Sequence, residues 1–248
     1  MRRFSVATGS NHENMMNDGE NNHYRYERKF VITGATRSEI ETQIKLHPAM
    51  FSEIFCERQV NNIYFDTFAM NYYFASVDGL RRRTKCRIRW YGQLFGQIEK
   101  PVLELKIKDG FVGRKESYPL APFALDEHFH LDIIKAVFEM SKLPGRLTTE
   151  LLTLQPTLVN CYRRKYFQSA DRTYRVTLDT DLRYYRISPY KNTFLQKSAD
   201  EHTVVVELKY NYDKDRYADS ISGLFPFRMT KSSKYVNGIQ RLFLGHTI

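Results

Sequence analysis

Apolar and polar residues alternate along many short stretches of this chain, and three of these stretches set Glu and Lys two apart at the alternation step. They are Tyr26-Glu27-Arg28-Lys29-Phe30, Val102-Leu103-Glu104-Leu105-Lys106-Ile107-Lys108 and Val204-Val205-Val206-Glu207-Leu208-Lys209. Successive side chains of a strand face opposite ways. Leu103, Leu105 and Ile107 therefore share one face, and Glu104, Lys106 and Lys108 share the other. Likewise Val204, Val206 and Leu208 oppose Val205, Glu207 and Lys209. Lys85, Arg87 and Arg89 repeat the rhythm around Ile88 and Trp90, as do Arg175, Thr177 and Asp179 around Val176 and Leu178. The polar faces are thus mostly Lys and Arg, relieved by single carboxylates. A sheet closing on that face would enclose a cationic channel suited to a polyanion.

The same pattern predicts strands at Tyr24–Ile32, Gln59–Asp66, Tyr72–Ser76, Arg82–Gln93, Val102–Lys108 and Val112–Tyr118. Further strands are expected at Thr157–Gln168, Thr173–Asp179, Leu182–Ile187 and Thr203–Tyr210. Asp109-Gly110 signals a tight hairpin, with Lys115 expected opposite Glu104. Helical spacing of apolar residues predicts helices over Thr36–Leu46, Glu127–Leu143 (closed by Pro144-Gly145) and Lys231–Phe243. Residues 1–22 are polar and Asn-rich and read as a disordered tail, leaving one domain over 23–248.

Composition narrows the partner more than the fold. With 38 basic and 28 acidic residues, the formal charge of +10 calls for an anion. Cys56, Cys86 and Cys161 lack the spacing of a disulfide framework or a zinc site, which suits a reducing, cytoplasmic setting. A run of about 18 apolar residues, as a membrane span requires, is absent. Neither a Gly-x-x-x-x-Gly-Lys-Ser/Thr loop nor a Gly-x-Gly-x-x-Gly occurs, so P-loop and Rossmann nucleotide sites are excluded. A nucleic-acid-binding barrel fits poorly, since its cations should line an open face.

The candidate channel cations are Lys29, Arg87, Arg89, Lys106, Lys108, Lys115, Arg163, Arg175 and Lys209. Arg in particular suits forked hydrogen bonding to phosphate. An ordinary solvated face is the competing explanation, but such faces mix in more Ser, Thr and Asn. Glu27, Glu104 and Glu207 either form salt bridges with these cations or hold a hard ion, Mn²⁺ or Mg²⁺, together with phosphate oxygens. Glu207, on the most apolar strand, is the favoured ligand. Lys231 and Lys234 share one face at the start of the last helix, where the dipole disfavours cations and an anion is wanted.

In order and spacing these segments resemble the VTC domain, the catalytic domain of vacuolar transporter chaperone polyphosphate polymerases. That domain lies within the triphosphate tunnel superfamily, which also holds the CYTH enzymes. The likeness runs from about Tyr24 to Leu244. It includes Arg25-Tyr26-Glu27-Arg28-Lys29-Phe30, Ile63-Tyr64-Phe65-Asp66-Thr67, Lys85-Cys86-Arg87-Ile88-Arg89-Trp90-Tyr91-Gly92 and Leu103-Glu104-Leu105-Lys106. It continues through Cys161-Tyr162-Arg163-Arg164-Lys165-Tyr166-Phe167, Arg175-Val176-Thr177-Leu178-Asp179, Val206-Glu207-Leu208-Lys209 and Lys231-Ser232-Ser233-Lys234-Tyr235-Val236-Asn237-Gly238.

The resemblance implies an α+β fold: an antiparallel eight-stranded β-barrel with flanking helices. It also implies that Lys29, Arg87, Arg89, Lys106, Lys115, Arg164, Arg175, Lys231 and Lys234 bind phosphate and that Glu207 ligates metal. One bulged residue would exchange Arg163 and Arg164 between the faces. The activity implied is transfer of the γ-phosphoryl group of ATP or another NTP to a polyphosphate chain. A triphosphatase on the same site, or a non-catalytic polyphosphate or inositol-phosphate binder, is the alternative. The CYTH enzymes open with Glu-x-Glu-x-Lys, whereas here Arg25 replaces the first Glu, which tips the balance toward the polymerase branch. The expected location is the cytoplasm or the inner face of a membrane, with any membrane attachment through a separate partner.

Overall fold

The computed structural model describes residues 25–110 and 112–245, so the expected tail at 1–22 lies outside the described residues. In chain order the elements are β1 (Arg25–Ile32), α1 (Arg37–Lys45), β2 (Ser52–Asp66), α2 (Asn71–Val77), β3 (Arg82–Tyr91), β4 (Gly96–Ile98) and β5 (Val102–Asp109). Then come β6 (Val112–Pro119), β7 (Phe123–Leu125), α3 (Leu131–Met140), α4 (Gly145–Leu151), β8 (Gln155–Gln168) and β9 (Arg175–Arg186). The chain continues through β10 (Lys197–Asp200), β11 (Val204–Asn211), a 3₁₀ turn (Tyr212–Lys214), α5 (Asp215–Ser222) and α6 (Lys234–Phe243).

One antiparallel sheet runs in the order β1-β11-β9-β8-β2-β3-β5-β6, with β10 added on β9; β4 and β7 form a separate ribbon. The sheet is strongly curled, because Lys106 on β5 reaches Glu27 on β1, near the opposite edge, at 2.9 Å. Alternation sorts its side chains cleanly. Outward residues of β2, β3 and β5 (Ile63, Phe65, Ile88, Leu103) pack under α3 and α4 through Ile134, Phe138 and Leu151. Outward residues of β1, β9 and β11 (Phe30, Val176, Val206, Leu208) pack under α1 and α5 through Ile40, Ile44 and Ala218. Capping is explicit at α1, where Thr36 and Glu39 exchange hydrogen bonds with each other's backbone N–H.

The expected eight-stranded barrel is corrected: the sheet stays open, and β1 and β6 form no ladder with each other. The physical reason lies at the free edge of β1. There the N–H of Thr230 donates to the Lys29 carbonyl at 2.8 Å, and the N–H of Val31 donates to Thr230 Oγ1 at 3.1 Å. Phe30 also bridges Met229. These backbone groups are satisfied by the segment leading into α6, so β1 cannot pair with β6, and side chains alone cross the gap.

Four local expectations also change. Tyr72–Ser76, read as a strand, lies in helix α2, whose first N–H groups at Tyr72 and Tyr73 donate to the Asp66 carboxylate at 2.9 and 2.8 Å. The helix expected over Glu127–Leu143 is shorter, and Pro144 opens a second one, α4, as its N-cap. The two strands expected at Thr173–Asp179 and Leu182–Ile187 are one, β9, which kinks at Asp181 with φ of 53°. In the β5–β6 hairpin Lys115 lies opposite Lys106, and Ser117 lies opposite Glu104. The turn falls one residue later than Asp109-Gly110, since Asp109 pairs with Val112.

The inner face of the sheet is divided. Toward one end Val60, Tyr64, Leu158, Tyr162, Tyr184 and Val205 are covered by Tyr235 and Ile239 of α6 and Tyr73 of α2. Gly238 permits that approach: a Cβ there would clash with Leu158 and stand 2.6 Å from Tyr184 Cδ1. Next to this apolar end the inner face is dominated by charged side chains.

Candidate functional site

The charged part of the inner face is a trough with two walls. On β3, β5 and β6, Glu104 is buried among cations: Arg87 donates from Nε at 2.8 Å, Lys115 Nζ approaches at 3.3 Å and Arg89 at 3.6 Å. Arg87 also lies within 3.4 Å of the Tyr64 hydroxyl, and Arg89 donates to Asn62 Oδ1 at 3.1 Å. Burial alone would raise the Glu104 pKa, but Arg87, Arg89 and Lys115 hold it well below its ordinary value. The carboxylate is therefore ionised at neutral pH and holds the guanidinium groups of Arg87 and Arg89 on this wall.

The facing wall comes from β1, β11, β9, β8 and the start of α6. Glu207 meets Lys209 at 3.0 Å, Lys29 at 3.2 Å, Arg164 at 3.5 Å and Lys234 at 3.7 Å. Asp179, fully buried, takes both arms of Arg164 at 2.5 and 2.6 Å and Lys234 at 2.6 Å. Lys234 and Arg164 also stack on the Tyr162 ring, 4.7 and 5.1 Å from its centroid. Both carboxyl groups are held below their ordinary values: burial opposes this, and the surrounding cations outweigh it. The charge of Lys234 at a helix N-terminus, unfavourable by itself, is answered here by Asp179.

The walls meet where Glu27 pairs with Lys106 at 2.9 Å and with Lys29 at 3.9 Å. Beside this seam Lys85 donates to Ser233 Oγ at 2.7 Å and, among the described residues, pairs with no carboxylate. Burial, with Lys29, Lys106, Arg83 and Arg87 around it, lowers the Lys85 pKa to about 7. Burial draws Lys106 the same way, to about 8, against the pull of Glu27.

The expected site residues do not all converge. Lys29, Arg87, Arg89, Lys106, Lys115, Arg164, Lys209, Lys234, Glu27, Glu104 and Glu207 form the trough. Lys108 and Arg175 share strand faces with them but stand exposed at strand ends, and Lys231 is exposed ahead of α6. Arg163 points outward to Glu57 at 2.9 Å and Asp181 at 3.5 Å. Arg164 faces inward by plain alternation with Tyr162, and the extra residue of the register shift near Cys161 lies on β9, so it leaves the faces of β8 unchanged. Two residues belong to the trough that sequence reasoning left out of the site, Lys85 and Asp179. Both were legible as members of alternating faces, Lys85 with Arg87 and Arg89, Asp179 with Arg175 and Thr177.

The expected hard ion would be held by one or two of Glu27, Glu104 and Glu207, with Glu207 foremost, together with phosphate oxygens. Among the described residues no three His, Cys, Asp or Glu side chains gather into one cluster. Each of these glutamates is engaged by Lys or Arg. The described residues of the trough thus set single carboxylates among a larger number of cations.

A curled antiparallel sheet with a Lys- and Arg-lined inner face, capped by its last helix, defines the class of triphosphate-tunnel proteins. Residues 24–243 match the VTC domain, and the chain belongs to that family. Vacuolar transporter chaperone complex subunit 4 of Trypanosoma cruzi is 26% identical over 228 residues, covering 76% of this chain and 28% of that protein. The chain thus spans little more than a quarter (28%) of that relative's length. Among solved structures it resembles a putative adenylyl cyclase from Hippeastrum described as having a dominant triphosphatase activity. The TM-score there is 0.50 at 15% identity, over 91% of this chain and 97% of the other. A putative adenylate cyclase from Vibrio parahaemolyticus gives a TM-score of 0.50 at 12% identity, over 88% and 99%. At these identities the likeness is one of fold. Among the described residues no helix is long and apolar enough to cross a membrane.

Proposed function

We propose that the trough binds the phosphate chain of a nucleoside triphosphate and transfers its terminal phosphoryl group to the end of a polyphosphate chain. The observation that carries this is the surplus of inward cations over carboxylates. Among the described residues Lys85 has no carboxylate partner, and the four carboxylates Glu27, Glu104, Asp179 and Glu207 are outnumbered by the Lys and Arg around them. Phosphoryl transfer asks a protein mainly for positioning and charge neutralisation. Arg87 and Arg89 on one wall, with Lys29, Arg164 and Lys234 on the other, are placed to hold phosphate oxygens from two sides. Mn²⁺ or Mg²⁺ would enter on the nucleotide, taking most of its oxygens from phosphate and at most one carboxylate, Glu207, from the protein.

The acceptor follows from basicity. Glu27, Glu104 and Glu207 are all held below their ordinary pKa by neighbouring cations and make poor general bases. A terminal phosphate is already an oxyanion and needs no base, whereas water benefits from one. Arg25 at the place of the first CYTH glutamate points the same way, as does the likeness to a vacuolar transporter chaperone subunit. A second reading, triphosphate hydrolysis, draws on the likeness to the Hippeastrum protein with its dominant triphosphatase activity.

Incubation with ATP and Mn²⁺, followed by gel separation and polyphosphate staining, tests this. A ladder of long chains is expected. Free phosphate without chains would replace the polymerase with a triphosphatase. Bound polyphosphate with no ATP consumed would make the protein a sensor.

A further inference from the structure

The inward row of β3 runs Lys85, Arg87, Arg89 and then Tyr91, so the cations give way to an aromatic ring at the strand's end. Across the sheet the same end holds more of the kind. Tyr91 pairs with Val60, Tyr166 with Phe55, and Arg58 with Arg164. Directly opposed residues share a face, so Phe55, Arg58, Tyr91 and Tyr166 form a collar adjoining Arg89 and Arg164. Unlike the buried inner tyrosines 64 and 162, Phe55 and Tyr91 are 48% and 52% exposed. The Phe55 and Tyr166 rings meet edge-on at 5.8 Å. The Arg58 guanidinium lies over two rings at once, 5.1 Å from the Phe55 centroid and 5.8 Å from that of Tyr91. A planar group thus already occupies the slot between two aromatic faces.

We propose that this collar is a nucleobase-stacking subsite, seating the base of a nucleoside triphosphate whose phosphates lie among Arg89, Arg164 and the cations beyond them. The inference rests on the phosphate-chain function proposed above and adds the nucleotide's orientation to it. A base is flat, tolerates any aromatic face, and stacks on Arg as readily as on Tyr. It would slide over Tyr91 or displace Arg58 from its place between the rings. Either movement covers aromatic surface that the free protein leaves in water. Inorganic tripolyphosphate has the same charge chemistry and no base, so it separates the collar from the trough.

Calorimetric titration of ATP and of inorganic tripolyphosphate into the wild-type protein and the Tyr91→Ala and Phe55→Ala variants is the test. ATP affinity is expected to fall about tenfold in each variant, while tripolyphosphate affinity stays within about twofold. Equal losses for both ligands, or no loss for ATP, would overturn the subsite. The fluorescence of 2-aminopurine riboside triphosphate gives a second readout. It should be quenched on binding to the wild-type protein and much less in Tyr91→Ala, and equal quenching in both would also count against stacking. Failure of both ligands to bind the wild-type protein would instead remove the trough function, and the collar with it.

Discussion

The two walls of the trough use the same ingredients in different depths of solvent. On the β3–β5–β6 wall Glu104 holds Arg87, Arg89 and the half-exposed Lys115, all contributed by neighbouring strands. On the opposite wall Asp179 is fully buried and ties Arg164 of β8 to Lys234 of α6. The first wall therefore arranges cations that the sheet would hold in place anyway. The second also fastens the helix that covers the apolar end of the inner face. Removing one partner of a buried pair strands the other charge in low dielectric, whereas an exposed pair is worth little. The same substitution should consequently damage the fold on one side and the chemistry on the other.

The sharpest test of that contrast is Asp179→Asn. It leaves Arg164 and Lys234 without their nearest counter-charge, and unfolding in denaturant should show a loss of about 3–5 kcal/mol. A loss within experimental scatter would mean that Glu207 alone suffices and that the walls are alike. Next, Arg89→Ala should lower turnover of ATP about 100-fold or more, as loss of a charge-stabilising donor does. Its circular dichroism and unfolding midpoint should stay near wild type, because Arg87 and Lys115 still compensate Glu104. An unfolded Arg89→Ala protein would move that wall into the structural class.

A smaller effect belongs to the seam. Lys85 titrates near 7 in the free protein against an ordinary 10.5, so between those values the folded chain binds fewer protons than the unfolded one. The contribution of this group to stability therefore rises as pH increases from about 7 to 10.5. A phosphate chain beside Lys85 reverses the preference, so binding should take up a proton within that window and tighten as pH falls toward 7. Calorimetry at pH 8 in buffers of different ionisation enthalpy reads the uptake, and Lys85→Met should reduce it. Undiminished uptake in that variant would place the proton elsewhere, with Lys106 as the next candidate. Smallest of all, Lys115→Ala should change stability by less than about 1 kcal/mol, since its partner keeps two arginines and its own ammonium is half in water. A loss as large as that of Asp179→Asn would erase the distinction between the walls.

Much of this arrangement was legible along the chain because alternation is a local property. Glu104, Lys106, Glu207 and Lys209 face inward as their spacing requires, and Val204, Val206 and Leu208 face the outer core. What escaped depends on contacts distant in sequence. Tyr72 to Ser76 has a strand-like composition, but the Asp66 carboxylate caps that segment into a helix, and Asp66 is itself held by the Tyr235 hydroxyl at 2.6 Å. The shift that the Arg163–Arg164 pair left open falls on β9, where one extra residue moves the inward set from Leu182 and Tyr184 to Asp179, while β8 keeps its alternation. The openness of the sheet turned on Met229 and Thr230 taking the edge of β1, which no pattern within β1 announces. Asp179 is legible on a polar face beside Arg175 and Thr177, but its part in the site depends on α6 bringing Lys234 against it.

The most direct test of the central claim is a crystal structure with inorganic tripolyphosphate. The account predicts phosphate groups between the two walls, within hydrogen-bond reach of Arg87 and Arg89 on one side and of Lys29 and Lys234 on the other. Phosphate bound only on the outer surface, with the Glu27–Lys106 seam and the wall ion pairs unchanged, would contradict it.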